Sequence, residues 1–453
     1  MTTTQEGGAG AAATTAKPIP LIKFGIVSTI RSLSDPLGMV AEAMREFGET
    51  IRVPGLGGPA IMTGDPEVIR TILTADHDQY GIPFREQLSP FVGESSLIMT
   101  PGQRHKKDRK LLAPSFHGAR MRAYGKSIIE ITLQQTSKLV RGKTFSMMDL
   151  TQSITLDVIL RAVFGVEDEA SHERFRAAIV ELVGAMNTPI ITVFEFMRKE
   201  FGGFGPWARF QRAIEALNAL IYDEIKKRRG HTAGREDIFS LMLDAKYDDG
   251  EGMTDKELRD QLHLLFFAGH DTTSTALGWA FYWMCRQPIE AAKVMAEIDA
   301  LGDSPDPEAI AALPYLEAFC QETLRIYPIA PNVGRQLIKP FDLLGNTIPE
   351  GTTLLASIMM LHENEKVYPE PRKFRPERFL ERKFSPYEYI PFGGGPRRCI
   401  GAALAMYEMK IVMATFLRKY KFRLVKDAPV KYVQRGLTMG PKGGIDMVIE
   451  GTR

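Results

Sequence analysis

Apolar positions recur at helical spacing through most of the stretch from about Gly102 to Tyr327, and on either side the pattern breaks into shorter runs. Residues 50–64 set β-branched side chains on both sides of a Gly/Pro turn, which predicts a short hairpin. Asp35, Asp65 and Ser304 are each followed directly by proline. A capping side chain before a residue with preset φ predicts a helix start at each. The Gly202–Pro206 cluster and the glycines at 230 and 234 separate helices. Beyond Pro328 short strands and turns take over until a last long helix, from about Gly401 to Lys419. Residues 437–449 then read as a closing hairpin.

The longest helix has its own signature. Thr254 and Glu257 have the spacing of a capping box, and no proline follows until Pro288. At about 1.5 Å per residue this predicts a helix of roughly 50 Å, long enough to cross a whole domain. In its middle lies Ala268-Gly269-His270-Asp271-Thr272-Thr273. Glycine weakens a helix, and threonine can bond backward to its carbonyls, so a local distortion that opens a groove is expected there.

Composition narrows the class without choosing a function. The 453 residues carry 57 Lys and Arg against 55 Asp and Glu, so nothing global calls for nucleic acid. Three cysteines, Cys285, Cys320 and Cys399, have no paired spacing and predict a reducing, cytoplasmic setting rather than a disulfide framework. Residues 1–17 are mostly Thr, Gly and Ala and read as a disordered tail, with one domain expected over 18–453. That tail lacks the basic and apolar regions of a signal peptide. Residues 21–33 are moderately apolar but include Lys23 and Arg31 and are too short to span a bilayer, so no transmembrane anchor is expected.

The densest chemistry lies at Phe392-Gly-Gly-Gly-Pro-Arg-Arg-Cys399-Ile-Gly401. A cysteine between a glycine loop and a helix N-terminus gains from the dipole and from free N–H groups, so a lowered thiol pKa is expected. Glycines let backbone approach a flat partner, and Arg397 offers a cation suited to a carboxylate. Thiolate, open face and arginine together describe a seat for haem with an axial cysteine. The segment resembles the haem-binding signature of the cytochrome P450 family, F-x-x-G-x-R-x-C-x-G, and matches it at every fixed position. The resemblance covers nearly the whole chain, which is similar to the soluble, mostly bacterial members.

That resemblance implies a mostly α fold with small β-sheets (α+β). It is a triangular prism with haem b between the long central helix and the helix after Cys399. Cys399 would be the axial ligand of the iron, and Phe392 and Gly401 would frame it. The central motif is similar to the family's A-G-x-D/E-T. Ala268 would lie against the haem, Thr272 would offer its hydroxyl to the oxygen being activated, and Asp271 would relay protons. His270 is read as structural. Glu322-x-x-Arg325 is similar to the family's E-x-x-R, and Arg378 to the arginine of the downstream loop that joins it in a buried network. His105 and Arg109, four apart on a predicted helix, match H-x-x-x-R. With Arg335 and Arg397 they would hold the haem propionates.

By the same resemblance the substrate pocket would draw on Phe84, Met186, Phe267, Ile329, Val333 and Leu437, with Phe91, Ile190 and Phe194 nearby. These are apolar, so a lipophilic substrate is expected: a fatty acid, terpenoid, steroid or polyketide skeleton. The basic run Arg104, Lys106, Lys107 and Lys110, with Arg372 and Arg398, would steer an acidic ferredoxin or flavodoxin. The expected protein is a monomeric monooxygenase using O2. A peroxygenase of the same fold is the rival enzyme, but such proteins often carry arginine and proline where Asp271 and Thr272 stand. A haem sensor or carrier would need no proton relay.

Overall fold

A computed structural model describes residues 18–22, 34–55, 58–116, 119–166, 168–186, 203–436 and 438–453. The expected tail at 1–17, most of the segment 21–33, and Ile190, Phe194 and Leu437 lie outside the described residues. Asp35 and Asp65 cap helices, each accepting backbone N–H groups ahead of the proline. The structure corrects the third start. Asp306, not Ser304, caps the helix Pro307–Ala311. Both residues precede a proline, but only Asp306 accepts the N–H of the residue two ahead, at 2.7 Å.

The helices that build the site are α1 (Pro36–Phe47), α2 (Arg85–Val92), α3 (Gly102–Leu112), α4 (Ala119–Thr136), α5 (Met147–Val158), α6 (Pro206–Arg228), α7 (Asp255–Arg286), α8 (Pro314–Ile326) and α9 (Ala402–Lys419). The expected capping box opens α7: Thr254 accepts from the Glu257 N–H while the Glu257 carboxylate accepts from the Thr254 N–H. Its 32 residues run without a break, so the expected distortion does not interrupt the helix. From Thr273 to Met284 every side is buried, the pattern of a helix inside a core rather than on its surface. Packing there is close. A Cβ on Gly278 would stand 2.5 Å from the Met148 sulfur of α5.

Five strands form the main sheet: β1 (Thr50–Gly55), β2 (Gly58–Thr63), β3 (Tyr80–Gly81), β4 (Asn332–Leu337) and β5 (Thr353–Ser357), in the spatial order β1-β2-β5-β4-β3. The predicted hairpin is β1–β2, with Thr50 opposite Thr63. Among the described strands of this sheet only β2 and β5 run parallel. The closing hairpin is corrected. The strand Thr438–Pro441 pairs with Tyr432–Arg435, while Asp446–Thr452 joins another sheet between Thr144–Ser146 and Tyr420–Leu424. The Gly443-Gly444 turn, both residues at positive φ, thus passes the chain between sheets instead of folding it back. Among the described residues no helix is long and apolar enough to cross a membrane.

Candidate functional site

The cysteine loop is fixed before α9 begins. Cys399 N–H donates to the Phe392 carbonyl at 2.9 Å and Arg398 N–H to the Gly395 carbonyl at 3.1 Å. Gly395 has φ +65° and passes so near α-helical residue Leu73 that a Cβ would lie 2.1 Å from that residue's carbonyl oxygen. Only glycine fits there. Gly401 caps α9 without a side-chain acceptor, so the first amides of the helix stay available beside the thiol.

Cys399 keeps accessible surface although protein atoms surround most of it, as at the wall of a cleft. In the middle of α7, Ala268 is exposed and Phe267, Gly269, Asp271 and Thr272 are half-buried, whereas the helix beyond is buried all round. Accessible positions inside a core helix mark an internal space. The expected lowering of the thiol pKa is overturned: burial pushes the Cys399 thiol up, against the Gly401 N–H and the Arg398 and Arg109 guanidiniums. Half a charge at a helix end does not offset the desolvation of a full thiolate among protein atoms.

Positive charge gathers on one side of this cleft. His105 and Arg109 come from α3, Arg335 from β4 and Arg397 from the cysteine loop. Strand alternation puts Val333 and Arg335 on the same face of β4. A Cβ on Gly393 would lie 3.5 Å from a Val333 methyl. Arg397 donates to the Thr100 carbonyl at 2.6 Å and Arg335 to its neighbour's carbonyl at 2.9 Å. Among the described residues no carboxylate pairs with either of them or with Arg109. His105 is 3% exposed and its Nδ1 has no partner. Burial first, then Arg397, Arg109, His77 and Arg335, pull the imidazole down to about 3. Burial and Arg397 bring Arg335 down to about 10. Cations that disfavour one another, with an unsatisfied buried imidazole among them, suit a flat dianion. The residues present therefore fit a haem held by its two carboxylates above Cys399.

Beneath this loop Glu322 and Arg325 of α8 meet Arg378. Glu322 is fully buried and accepts from Arg325 at 2.7 and 2.9 Å, Arg378 at 3.1 Å and the Arg375 N–H at 2.8 Å. Arg325 also donates to the carbonyls of His362 and Pro371. The three charges named from the sequence are thus one hydrogen-bonded cluster.

The distal residues divide. The Thr272 hydroxyl donates to the Ala268 carbonyl at 2.5 Å, leaving its oxygen able to accept. His270 is buried against Thr155, 3.0 Å from Nδ1, and burial lowers it to about 4. Ile329 is buried, and its carbonyl accepts the Met439 N–H. Phe91 packs between Phe267 and Phe210, ring centres 6.2 and 5.0 Å away. Phe84 is 43% exposed in a left-handed turn, and Met186 ends a helix half-buried. The Thr438 hydroxyl, in the turn expected to border the pocket, reaches Asp271 at 3.4 Å. One residue was not found from the sequence: the His77 ring lies 6.0 Å from that of His105. It belongs to no spaced motif; the fold alone brings it there.

The expected docking face is smaller than its sequence suggests. Arg104 pairs with Asp108 and Glu257, Lys110 with Asp248, and Arg372 with Glu363. Lys106, Lys107 and Arg398 remain exposed.

A sequence profile described as Cytochrome P450 matches residues 16–445. The putative cytochrome P450 135B1 of Mycobacterium tuberculosis is 32% identical over 438 residues, covering 95% of this chain and 90% of that protein. The putative cytochrome P450 138 of the same organism is 31% identical over 447 residues, covering 95% and 97%. Two solved structures share the fold at 23% identity. They are retinoic-acid-bound cyanobacterial CYP120A1 (TM-score 0.82, covering 96% of this chain and 99% of that one) and the haem domain of cytochrome P450DA (0.84, 97% and 98%).

Proposed function

The chain belongs to the cytochrome P450 family, whose members are haem-thiolate monooxygenases, and from that premise we propose that it inserts one atom of O2 into a lipophilic small molecule. The balance is RH + O2 + two electrons + two protons to ROH + H2O. Cys399 would hold haem b as its thiolate ligand, and the group would supply the dioxygen chemistry, the thiolate's electron density favouring O–O cleavage. His105, Arg109, Arg335 and Arg397 would hold its carboxylates. Asp271 and Thr272 would deliver protons. With its own proton on the Ala268 carbonyl, Thr272 would act first as an acceptor that holds a water or the reacting oxygen, and Asp271 would hand protons on from solvent.

One observation carries this reading above peroxide use or passive haem binding. The acid Asp271 and the hydroxyl Thr272 are accessible in the middle of α7, where the helix beyond is buried all round, and Cys399 is accessible as well. Half-buried Phe267 and Val333 at that cleft support a lipophilic substrate. The exposed cations Lys106, Lys107 and Arg398 support an acidic external donor, a ferredoxin or flavodoxin.

The absorption spectrum of the reduced protein under carbon monoxide is the first test. A strongly red-shifted Soret band is expected, and its loss in Cys399→Ala. A band at the ordinary position in the wild type refutes thiolate ligation. Fatty acids, terpenoids, steroids and polyketides are then screened by spin-state shift, followed by turnover with reduced ferredoxin or flavodoxin. Product formed with peroxide but not with O2 and a donor would favour the peroxygenase.

A further inference from the structure

Helix α3 buries only three residues, His105, Asp108 and Leu112, so its inward stripe is largely polar. Hydrophobic burial alone therefore cannot fix the rotation of this helix about its axis. At 100° per residue His105 and Arg109 form one line, 40° apart, and Arg104 and Asp108 form a second. The first line faces the cationic side of the haem cleft. The second is bolted to the start of α7. Asp108 is completely buried and receives Arg104 Nε at 2.9 and 3.0 Å and the Tyr247 hydroxyl at 2.9 Å. Arg104 continues to the Tyr247 oxygen at 3.0 Å and to Glu257 at 2.5 Å. The other oxygen of Glu257 closes the capping box of α7 at 2.8 Å.

These contacts are strong ones. The Asp108 and Glu257 charges outweigh the effect of burial on Arg104 and raise its pKa, and burial together with the Asp108 hydrogen bond raises that of Tyr247. Side-chain tips lie about 6 Å from a helix axis, so a 10° rotation of α3 displaces them by about 1 Å. A displacement of that size is enough to weaken a charge-assisted hydrogen bond.

We propose that Asp108, held by Arg104 and Tyr247, is a positioning residue: it sets the rotation of α3 and thereby aims His105 and Arg109 at the haem carboxylates. This rests on the haem reading above. When the aim is lost, less positive charge sits near the haem, which disfavours the ferrous state and loosens the group.

The test uses the full-length holoprotein and three variants: Tyr247→Phe, Asp108→Asn, and Lys110→Ala as a control. The control breaks only the exposed Lys110–Asp248 pair between the same helix and the same turn. Midpoint potential, haem transfer to apomyoglobin and thermal midpoint are measured for each. In Tyr247→Phe the reduction equilibrium is expected to move at least threefold towards ferric, about 28 mV at 59 mV per tenfold for one electron. Haem loss is expected to quicken by a similar factor, with the thiolate band under carbon monoxide intact, while Lys110→Ala does neither. A Tyr247→Phe protein with a lowered thermal midpoint but an unchanged potential and haem-loss rate overturns the proposal, because the network would then be structural only. Asp108→Asn is expected to behave like Tyr247→Phe but more strongly, and wild-type values there overturn it too. Absence of the thiolate band in the wild type refutes the haem reading instead, a result that cannot be confused with either.

Discussion

Replacing Glu322 with alanine strikes a heavily committed carboxylate. It is fully buried and accepts four hydrogen bonds, three from the guanidiniums of Arg325 and Arg378 and one from the Arg375 N–H. Summed at about 1.5–3 kcal/mol per charge-assisted bond these would exceed 6 kcal/mol, but such contributions do not add. The better guide is removal of one partner from a buried ion pair, about 3–5 kcal/mol, because the cost is the stranded charge. Here two buried arginines are stranded. Against a typical stability of about 5–15 kcal/mol this removes a large share. The loss falls where Arg325 and Arg378 bind the carbonyls of residues 362, 369–371 and 373, the path that leads to the cysteine loop. Glu322→Ala is therefore expected to lose most of its haem and to lower the urea midpoint of the apoprotein. Haem content is measured by pyridine haemochromogen and stability by urea titration. Glu322→Gln, which keeps the shape and one acceptor, should recover part of both. Full haem content and an unchanged midpoint in Glu322→Ala would refute the reasoning.

Three further predictions rest on separate observations. Glu408 of α9 is buried, one of its oxygens has no partner, and burial pushes its carboxyl up to about 8 from 4.5. A raised acid pKa favours the folded state at low pH, so wild-type stability should fall between about pH 4.5 and 8. Glu408→Gln should lack this slope and be more stable by a few kcal/mol above pH 8, at about 1.4 kcal/mol per unit. Parallel pH profiles in urea titrations would contradict it. Thr272→Ala should bind substrate as before but spend electrons several-fold less efficiently, with the balance recovered as hydrogen peroxide; unchanged product per electron would remove the role given to that hydroxyl. Phe91→Ala should cost about 3–5 kcal/mol in thermal or urea unfolding, since the ring fills the space between Phe267 and Phe210, and should admit bulkier ligands by spin-state titration. A loss under about 1 kcal/mol would mean that the space is already open.

Much of this protein is written locally in its sequence. The capping box at Thr254 and Glu257 opened α7 where expected because a cap needs only three residues of context. The spaced motifs around Cys399, Thr272, Glu322 and His105 were legible for a related reason: glycine backbones, i,i+3 and i,i+4 pairs and a helix N-terminus constrain chemistry within a few residues. Beyond the local β1–β2 hairpin, the pairing of strands was not legible. Residues 437–449 contain the turn of a hairpin, yet their two arms join different sheets, because the partners at 144–146, 420–424 and 432–435 are chosen by tertiary packing. The charge of the thiol was misjudged for the same reason, since desolvation depends on every surrounding atom while the dipole is visible in one segment. The basic run on α3 shows the division most plainly. Sequence placed Arg104, Lys106, Lys107 and Lys110 side by side, but the Tyr247 turn and the head of α7, some 140 to 150 residues away, decide which of them bind inward and which stay in solvent. Local physics wrote the motifs. The aim of their side chains came from contacts between segments far apart in the chain, because only the folded protein brings such charges within hydrogen-bonding distance.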